Sequence, residues 1–184
     1  MVPKSQIYTP NIKINYPCIV KPSCSGSSFG ITKVENKNDI KEAVKQAGIH
    51  DKEVIIEDFI DGREVTCAAF YIKNQIKTLP ITEIISQNAI FDYDAKYNGK
   101  SIEETPAKIS EIMKCDIENI SKNIYQDLKL SGIIRIDFII HKQTPYIIEI
   151  NTIPGFPEES IVPQMLKCAD IKIKTFITQQ LENI

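Results

Sequence analysis

Polar and apolar residues alternate most regularly between Gly132 and Gly155. In a first run Ile134, Ile136, Phe138 and Ile140 fall on one side, with Arg135 and Asp137 on the other. In a second, Ile148 and Ile150 oppose Glu149 and Asn151. A period of two is the mark of a half-buried strand. The segment His141-Lys-Gln-Thr-Pro145 between the runs is rich in turn residues, and its proline disfavours helix. The pattern predicts an antiparallel hairpin centred near Gln143. Asp137 then lies opposite Glu149, and Arg135 opposite Asn151.

Elsewhere the pattern predicts short strands with a few helices. Tyr16–Pro22 reads as a buried strand ending in Lys21, and Ile31–Val34 as its return partner. Asn38–Gln46 has helical spacing, with Asn38 as N-cap. Glu53–Ile60 and Val65–Tyr71 read as strands flanking a turn at Asp61-Gly62-Arg63-Glu64, and Gln75–Ile85 as a strand pair or one bent strand. Asn88–Pro106 is polar and aromatic with no clean period, which predicts a long loop. Asp116–Leu130 carries an apolar stripe of Ile117, Ile120, Ile124 and Leu128, with Asp116 as cap and Ser131-Gly132 as stop. Val162–Ala169 and Lys172–Glu182 read as two closing helices.

The 184 residues suffice for one large or two small domains, and the formal charge of -2 gives no bulk attraction to nucleic acid or anionic membrane. No apolar run approaches the ~18 residues of a membrane span. Residues 1–10 show no hydrophobic signal core, so a cytoplasmic protein is expected. The five cysteines are odd in number and scattered, which argues against a disulfide framework or a zinc site. Neither His50 nor His141 belongs to a pattern suggesting a nucleophilic triad.

The hairpin carries the most specific chemistry. Carboxylates on directly opposite residues lie roughly 5 Å apart and repel unless a cation joins them. With an asparagine amide they form a hard-ligand set suited to Mg²⁺ carrying a nucleotide phosphate. Arg135 beside them is placed to stabilise a transferring phosphoryl group. A solvated polar face on an ordinary hairpin would show the same alternation. Ser23–Gly30 is built of small residues whose N–H groups can cradle phosphate, with Lys21 at its mouth, although a flexible connection fits its composition equally. The strand ending in Glu57-Asp-Phe59-Ile60 suits an adenine slot, and Glu64 can reach ribose hydroxyls or simply be a solvated turn residue. Lys96 and Tyr97 lie in the long loop, where a lid over phosphate would use them.

Several stretches occur in a telling order. They are Val20-Lys21-Pro22-Ser23 with Gly26-Ser27-Ser28-x-Gly30, Ile56-Glu57-x-Phe59-Ile60-x-Gly62-x-Glu64, and Tyr93-Asp94-Ala95-Lys96-Tyr97. Arg135-Ile136-Asp137, Glu149-Ile150-Asn151-Thr152-x-Pro154-Gly155 and Ser160-x-x-Pro163 complete the series. Together they resemble the ATP-grasp carboxylate–amine ligases, and within these the D-alanine–D-alanine ligase family, from about Pro17 to the end of the chain.

The resemblance implies an α+β ATP-grasp fold, with two subdomains of mainly antiparallel sheets gripping ATP. The expected layout is an entry segment at 1–15, a nucleotide-binding subdomain at 16–86 and a second subdomain at 87–184. The second would hold a lid loop at 88–106, the hairpin at 132–155 and the C-terminal helices. Lys21 and Lys96 would hold phosphates, Glu57, Phe59 and Ile60 would flank adenine, and Glu64 would bind ribose. Asp137, Glu149 and Asn151 would bind Mg²⁺ or Mn²⁺. Arg135 and the Gly155 backbone would stabilise the reacting centre, with Ser27, Tyr97, Ser160 and Ile161 around the substrates and lid.

The implied activity joins two D-alanines for peptidoglycan precursors through an acyl phosphate, in a protein that is a homodimer at full length. A ligase for other amino acids or peptides, or a non-catalytic nucleotide-binding fragment, are the alternatives. Three departures bear on that choice. The family has a further N-terminal domain that binds the first amino acid, and only 1–15 precede the first matched strand. Ser25 stands where the family usually has a glutamate. Phe156-Pro-Glu-Glu159 follows Gly155 where the family usually has Met-Thr and small or basic residues.

Overall fold

The computed structural model describes residues 1–26, 28–86 and 101–182. It bears out the α+β expectation with two antiparallel sheets, and the contacts divide the chain into two units.

One unit, Val2–Asp61 with Ser86–Ile102, is built on a four-stranded sheet. Its strands are β1 (Ser5–Ile7), β2 (Cys18–Pro22), β3 (Thr32–Val34) and β4 (Val54–Asp58), in the order β1-β4-β2-β3. Cys18 and Val20 alternate inward along β2 and meet Ile56 and Val54 of β4. Helix α1 (Ile40–Ala47) lays Ile40, Ala43 and Ala47 on the same core. Its N-cap is Asp39, one residue later than expected.

The other unit consists of Met1, Gly62–Ile85 and Glu103–Ile184. Its sheet contains β5 (Arg63–Ile72), β6 (Gln75–Thr78), β7 (Thr82–Ser86), β8 (Ser101–Glu104), β9 (Ile133–His141) and β10 (Thr144–Asn151). The order is β10-β9-β5-β7-β8, with β6 also paired to β5. Val65, Cys67 and Ala69 of β5 and Ile134, Ile136 and Phe138 of β9 form one apolar face. Helix α2 (Glu111–Asp127) covers it with Met113, Ile117 and Tyr125. Ile134, Ile136 and Phe138 are fully buried, and each such side chain contributes about 1.5–3 kcal/mol by leaving water. Two further helices, α3 (Ile161–Cys168) and α4 (Ile173–Leu181), follow the hairpin. Phe176 of α4 packs edge-on against Phe70 of β5, with ring centroids 5.1 Å apart.

The differences from expectation have local causes. The segment expected at 1–15 as an entry piece contributes β1, which pairs with β4 through Ser5–Glu57 and Ile7–Ile55. The expected boundary at residue 86 differs from the observed units, since β5 and β7 join β9 and not β2. Helix α2 begins five residues before Asp116. Ser110 is its cap, its hydroxyl accepting the Met113 N–H at 3.3 Å, and Met113 extends the buried stripe by one turn. Residues 101–104, expected in the long loop, form β8; residues 87–100 lie outside the described residues.

Gly62 precedes β5 where the chain runs against β9. A Cβ there would meet the Ile140 carbonyl oxygen at 2.3 Å. Only glycine permits that approach.

Candidate active site

The hairpin does place Asp137 opposite Glu149 and Arg135 opposite Asn151. It reaches this register by a different route from the one expected. The turn is shorter, with Lys142 and Gln143 both at positive φ and Thr144 already paired with His141. Two consecutive positive-φ residues suit the tight turn that matches strand twist. Pro145, expected to lie in the turn, sits within β10, which is an edge strand and tolerates a missing N–H. From that turn, simple counting would set Asp137 against Ile148. A bulge between Ile147 and Glu149 leaves Ile148 as the extra residue and brings Glu149 to Asp137.

Across the sheet this register forms a polar row of Glu149, Asp137, Thr66 and Thr82 from four successive strands. Asp137 is only 4% exposed. Arg135 grips it with two bonds, Nε to Oδ1 at 2.8 Å and Nη2 to Oδ2 at 2.8 Å. Thr66 Oγ1 lies 2.5 Å from Asp137 Oδ1. Asn151 Nδ2 lies 3.1 Å from Asp137 Oδ2 and 3.2 Å from Glu149 Oε1, so one amide bridges both carboxylates.

The electrostatics follow from this enclosure. Burial alone would raise the Asp137 carboxyl, but Arg135, Thr66 and Glu149 together hold it below its ordinary value. Burial opposes the Arg135 charge, and the neighbouring Asp137, Glu149 and Glu64 carboxylates more than restore it. The pair is therefore ionised at neutral pH.

Among the described residues no three His, Cys, Asp or Glu side chains converge as a metal cluster. The site instead offers two facing carboxylates and an amide. Mg²⁺ commonly takes one or two protein carboxylates and fills its octahedron with phosphate oxygens and water. The donor set fits such an ion, provided the Asn151 amide turns its oxygen toward the carboxylates.

Glu64 stands in β5 opposite Ile139 and Ile84, two residues from Thr66 and on the same face. Its charge is felt by Arg135. Gly155 lies beside the cap of α3, where a Cβ would sit 3.3 Å from Ser160 Oγ. Ile161 is 5% exposed, so its side chain belongs to the core and its N–H is what the helix start can offer.

In the four-stranded unit, Lys21 Nζ donates to Glu57 Oε2 at 2.9 Å. Glu57 is itself buried. The Lys33 ammonium lies 4.1 Å above the Phe59 ring, and Ile60 directly follows Phe59 in the segment after β4. The expected sites therefore form two groups, one in each unit. Ser27, Lys96 and Tyr97 lie outside the described residues.

Three contributors are absent from the expected set. Thr66 was legible, because Glu64 and Thr66 alternate with Val65 and Cys67 just as Arg135 and Asp137 alternate with isoleucines. Glu103 and Gln164, joined by a 2.5 Å hydrogen bond, stand 61 residues apart and carry no local signal.

Residues 4–182 match the family model described as D-ala D-ala ligase C-terminus. This chain belongs to that family. It is 46% identical over 170 residues to a D-alanine–D-alanine ligase of Flavobacterium johnsoniae, covering 92% of this chain and 53% of the relative. It is 42% identical over 172 residues to the ligase of Bacteroides fragilis, covering 93% and 53%. The chain spans about half the length of the curated relatives it matches. The VanG D-Ala:D-Ser ligase from Enterococcus faecalis has a similar fold, with a TM-score of 0.84 and 32% identity over 98% of this chain and 56% of its own. The D-alanine–D-alanine ligase from Bacillus anthracis, solved in complex with ATP, gives 0.78 and 25% identity, over 98% of this chain and 59% of that one. These similarities bear out the ATP-grasp fold. No helix of the described residues is long and apolar enough to cross a membrane.

Proposed function

We propose that this chain is the nucleotide-handling and reacting part of an ATP-dependent ligase that joins two D-alanines for peptidoglycan precursors. The observation carrying the proposal is the register that faces Asp137 with Glu149 and brackets them with Arg135 and Asn151. ATP-dependent joining of a carboxylate to an amine needs concentrated positive charge where phosphate is transferred, and no nucleophile from the protein.

Asp137, Glu149 and the Asn151 amide would hold Mg²⁺ or Mn²⁺. The ion, when bound, neutralises phosphate charge and orients the γ-phosphoryl group. Lys21 leaves Glu57 for a phosphate oxygen, with Lys96 as a second cation. Glu57, Phe59 and Ile60 flank the adenine, and Glu64 takes ribose hydroxyls. Phosphoryl transfer to the carboxylate of the first D-alanine gives an acyl phosphate. The amine of the second attacks its carbonyl carbon, the peptide bond forms and phosphate leaves. Arg135 and the Gly155 N–H offset the negative charge that builds on oxygen in these steps. Ser27, Tyr97, Ser160 and the Ile161 backbone surround the amino acids. The full-length protein is a cytoplasmic homodimer on this reading.

A second reading changes only the second amino acid. Phe156-Pro157-Glu158-Glu159 adds two negative charges beside Ser160, and the D-Ala:D-Ser ligase is among the similar folds. D-Serine is then the amine to compare with D-alanine.

Calorimetry of Mg-ATP binding to the chain and to its Glu149→Gln variant tests the proposal. The expected result is Mg²⁺-dependent binding that weakens about 10-fold or more in the variant, the scale on which metal-site changes act. Equal binding by both proteins would remove Glu149 from the metal site.

A further inference from the structure

Glu103 in β8 is half-buried, and Gln164 projects to it from the first turn of α3. Gln164 Nε2 lies 2.5 Å from Glu103 Oε2 and 2.8 Å from the Glu159 carbonyl oxygen. The amide has two N–H donors, so it satisfies both acceptors at once. The same turn is closed by its backbone, with Ser160 N–H bonded to Pro157 O at 2.8 Å and Gln164 N–H to Ser160 O at 3.2 Å. One side chain thus ties a carboxylate on the sheet to the residue that precedes the cap of α3.

Glu103 is an unusual choice for this place. Burial raises its carboxyl from the ordinary value, against the pull of Gln164 and Arg135. Among the described residues Gln164 is its hydrogen-bond partner, and a neutral amide compensates a desolvated carboxylate poorly. Packing alone would be served as well by an apolar residue. What the carboxylate adds is a strong acceptor with direction, and what it directs is the Glu159–Ser160 turn.

We propose that Glu103 is a positioning residue: through Gln164 it fixes the Glu159–Ser160 turn, and so the Ser160 and Ile161 backbone beside the amino-acid substrates. The substrate part rests on the function proposed above; the latch itself does not.

Two measurements on this chain separate the parts. The first is amide hydrogen exchange at Ser160 and Gln164, with β9 amides as the control. Glu103→Ala should speed exchange in the turn about 10-fold, the equivalent of one net hydrogen bond; Gln164→Met, which also loses the Glu159 bond, should speed it at least as much; and both should leave β9 unchanged. The double variant should be no faster than Gln164→Met alone, because that variant already removes the bond to Glu103 together with the one to the Glu159 carbonyl. Glu103→Gln keeps an acceptor oxygen and should remain within about twofold of wild type. Unchanged exchange, equal acceleration in β9, or a Glu103→Gln variant as fast as Glu103→Ala would each overturn the latch.

The second measurement is D-alanine titration of the Mg-ATP-loaded chain, followed by NMR. Glu103→Ala and Gln164→Met should weaken D-alanine about 10-fold while Mg-ATP affinity stays within about twofold. Faster turn exchange with unaltered D-alanine affinity would overturn the positioning role. A wild-type chain that binds no D-alanine, with the exchange results as expected, would reject the substrate reading and leave the latch standing.

Discussion

The two sheets hold their charged side chains by different means. In the four-stranded sheet Lys21 and Glu57 meet through one bond of 2.9 Å between β2 and β4. In the six-stranded sheet Asp137 receives Arg135 twice, Thr66 and Asn151, all from its own row or the next. The first is a single bond between a partly exposed lysine and a buried carboxylate, and on the proposed function the lysine would exchange that carboxylate for a phosphate. The second is a carboxylate fixed in orientation before any ligand arrives. On the proposed function, a cation tied by one bond suits a triphosphate that must enter and leave, whereas a carboxylate that binds a metal ion gains from being held still.

The largest expected effect is at Asp137. Asp137→Asn takes from the Arg135 guanidinium, whose side chain is 14% exposed, the carboxylate that binds it twice; breaking such a buried pair costs about 3–5 kcal/mol. Urea unfolding should show that loss, and calorimetry the loss of Mg-ATP binding. Lys21→Met should cost less, about 1–3 kcal/mol for the carboxylate left behind at Glu57, while still weakening nucleotide binding. If the two variants proved equally unstable, the distinction between a singly bonded pair and a saturated one would fail.

Thr66→Val is a finer probe. It deletes one bond to Asp137 and keeps the shape, so stability should fall by about 1 kcal/mol. Metal-dependent binding should drop about 10-fold, because outer-shell partners orient the carboxylate. A stability loss with unaltered Mg²⁺ dependence would make Thr66 purely structural.

The smallest effect is the pH trend. The folded Asp137 carboxyl lies below its unfolded value of 3.8, so the unfolded chain binds the proton first as pH falls. The stabilisation is fully present above 3.8 and is lost as pH drops through the lower folded value. Thermal unfolding between neutral and acid pH should show this slope in wild type and a shallower one in Asp137→Asn.

How much of this the sequence displayed depended on distance along the chain. Alternation exposed β9 and the Glu149 carboxylate of β10 because both faces of a strand are written in consecutive residues. The Asp137–Glu149 pairing was legible too, although an assumed symmetric turn stood in for a tighter turn plus a bulge, and the two happen to give the same register. Polar β1 and β8 were missed because edge strands need no apolar pattern. The start of α2 was missed because Ser110 caps a turn whose only buried contact is Met113. Glu103 and Gln164 could not be paired by reading, since neither residue is near the other until the sheet and α3 have formed.

The bulge at Ile148 has one more consequence, and it concerns counting. Without it, Ile147 and Glu149 would share a face, as any residues two apart in a strand do. With it, Ile147 pairs with core-facing Phe138 and Glu149 with Asp137. Ile148 therefore works like a spare letter that resets a reading frame. Its removal would close the ladder with Glu149 still opposite Asp137, whereas losing Ile150 would set Asn151 against Ile136 and carry an amide into the helix-covered side. Changes of length in this hairpin are thus filtered by parity, and single-residue gaps belong at one address.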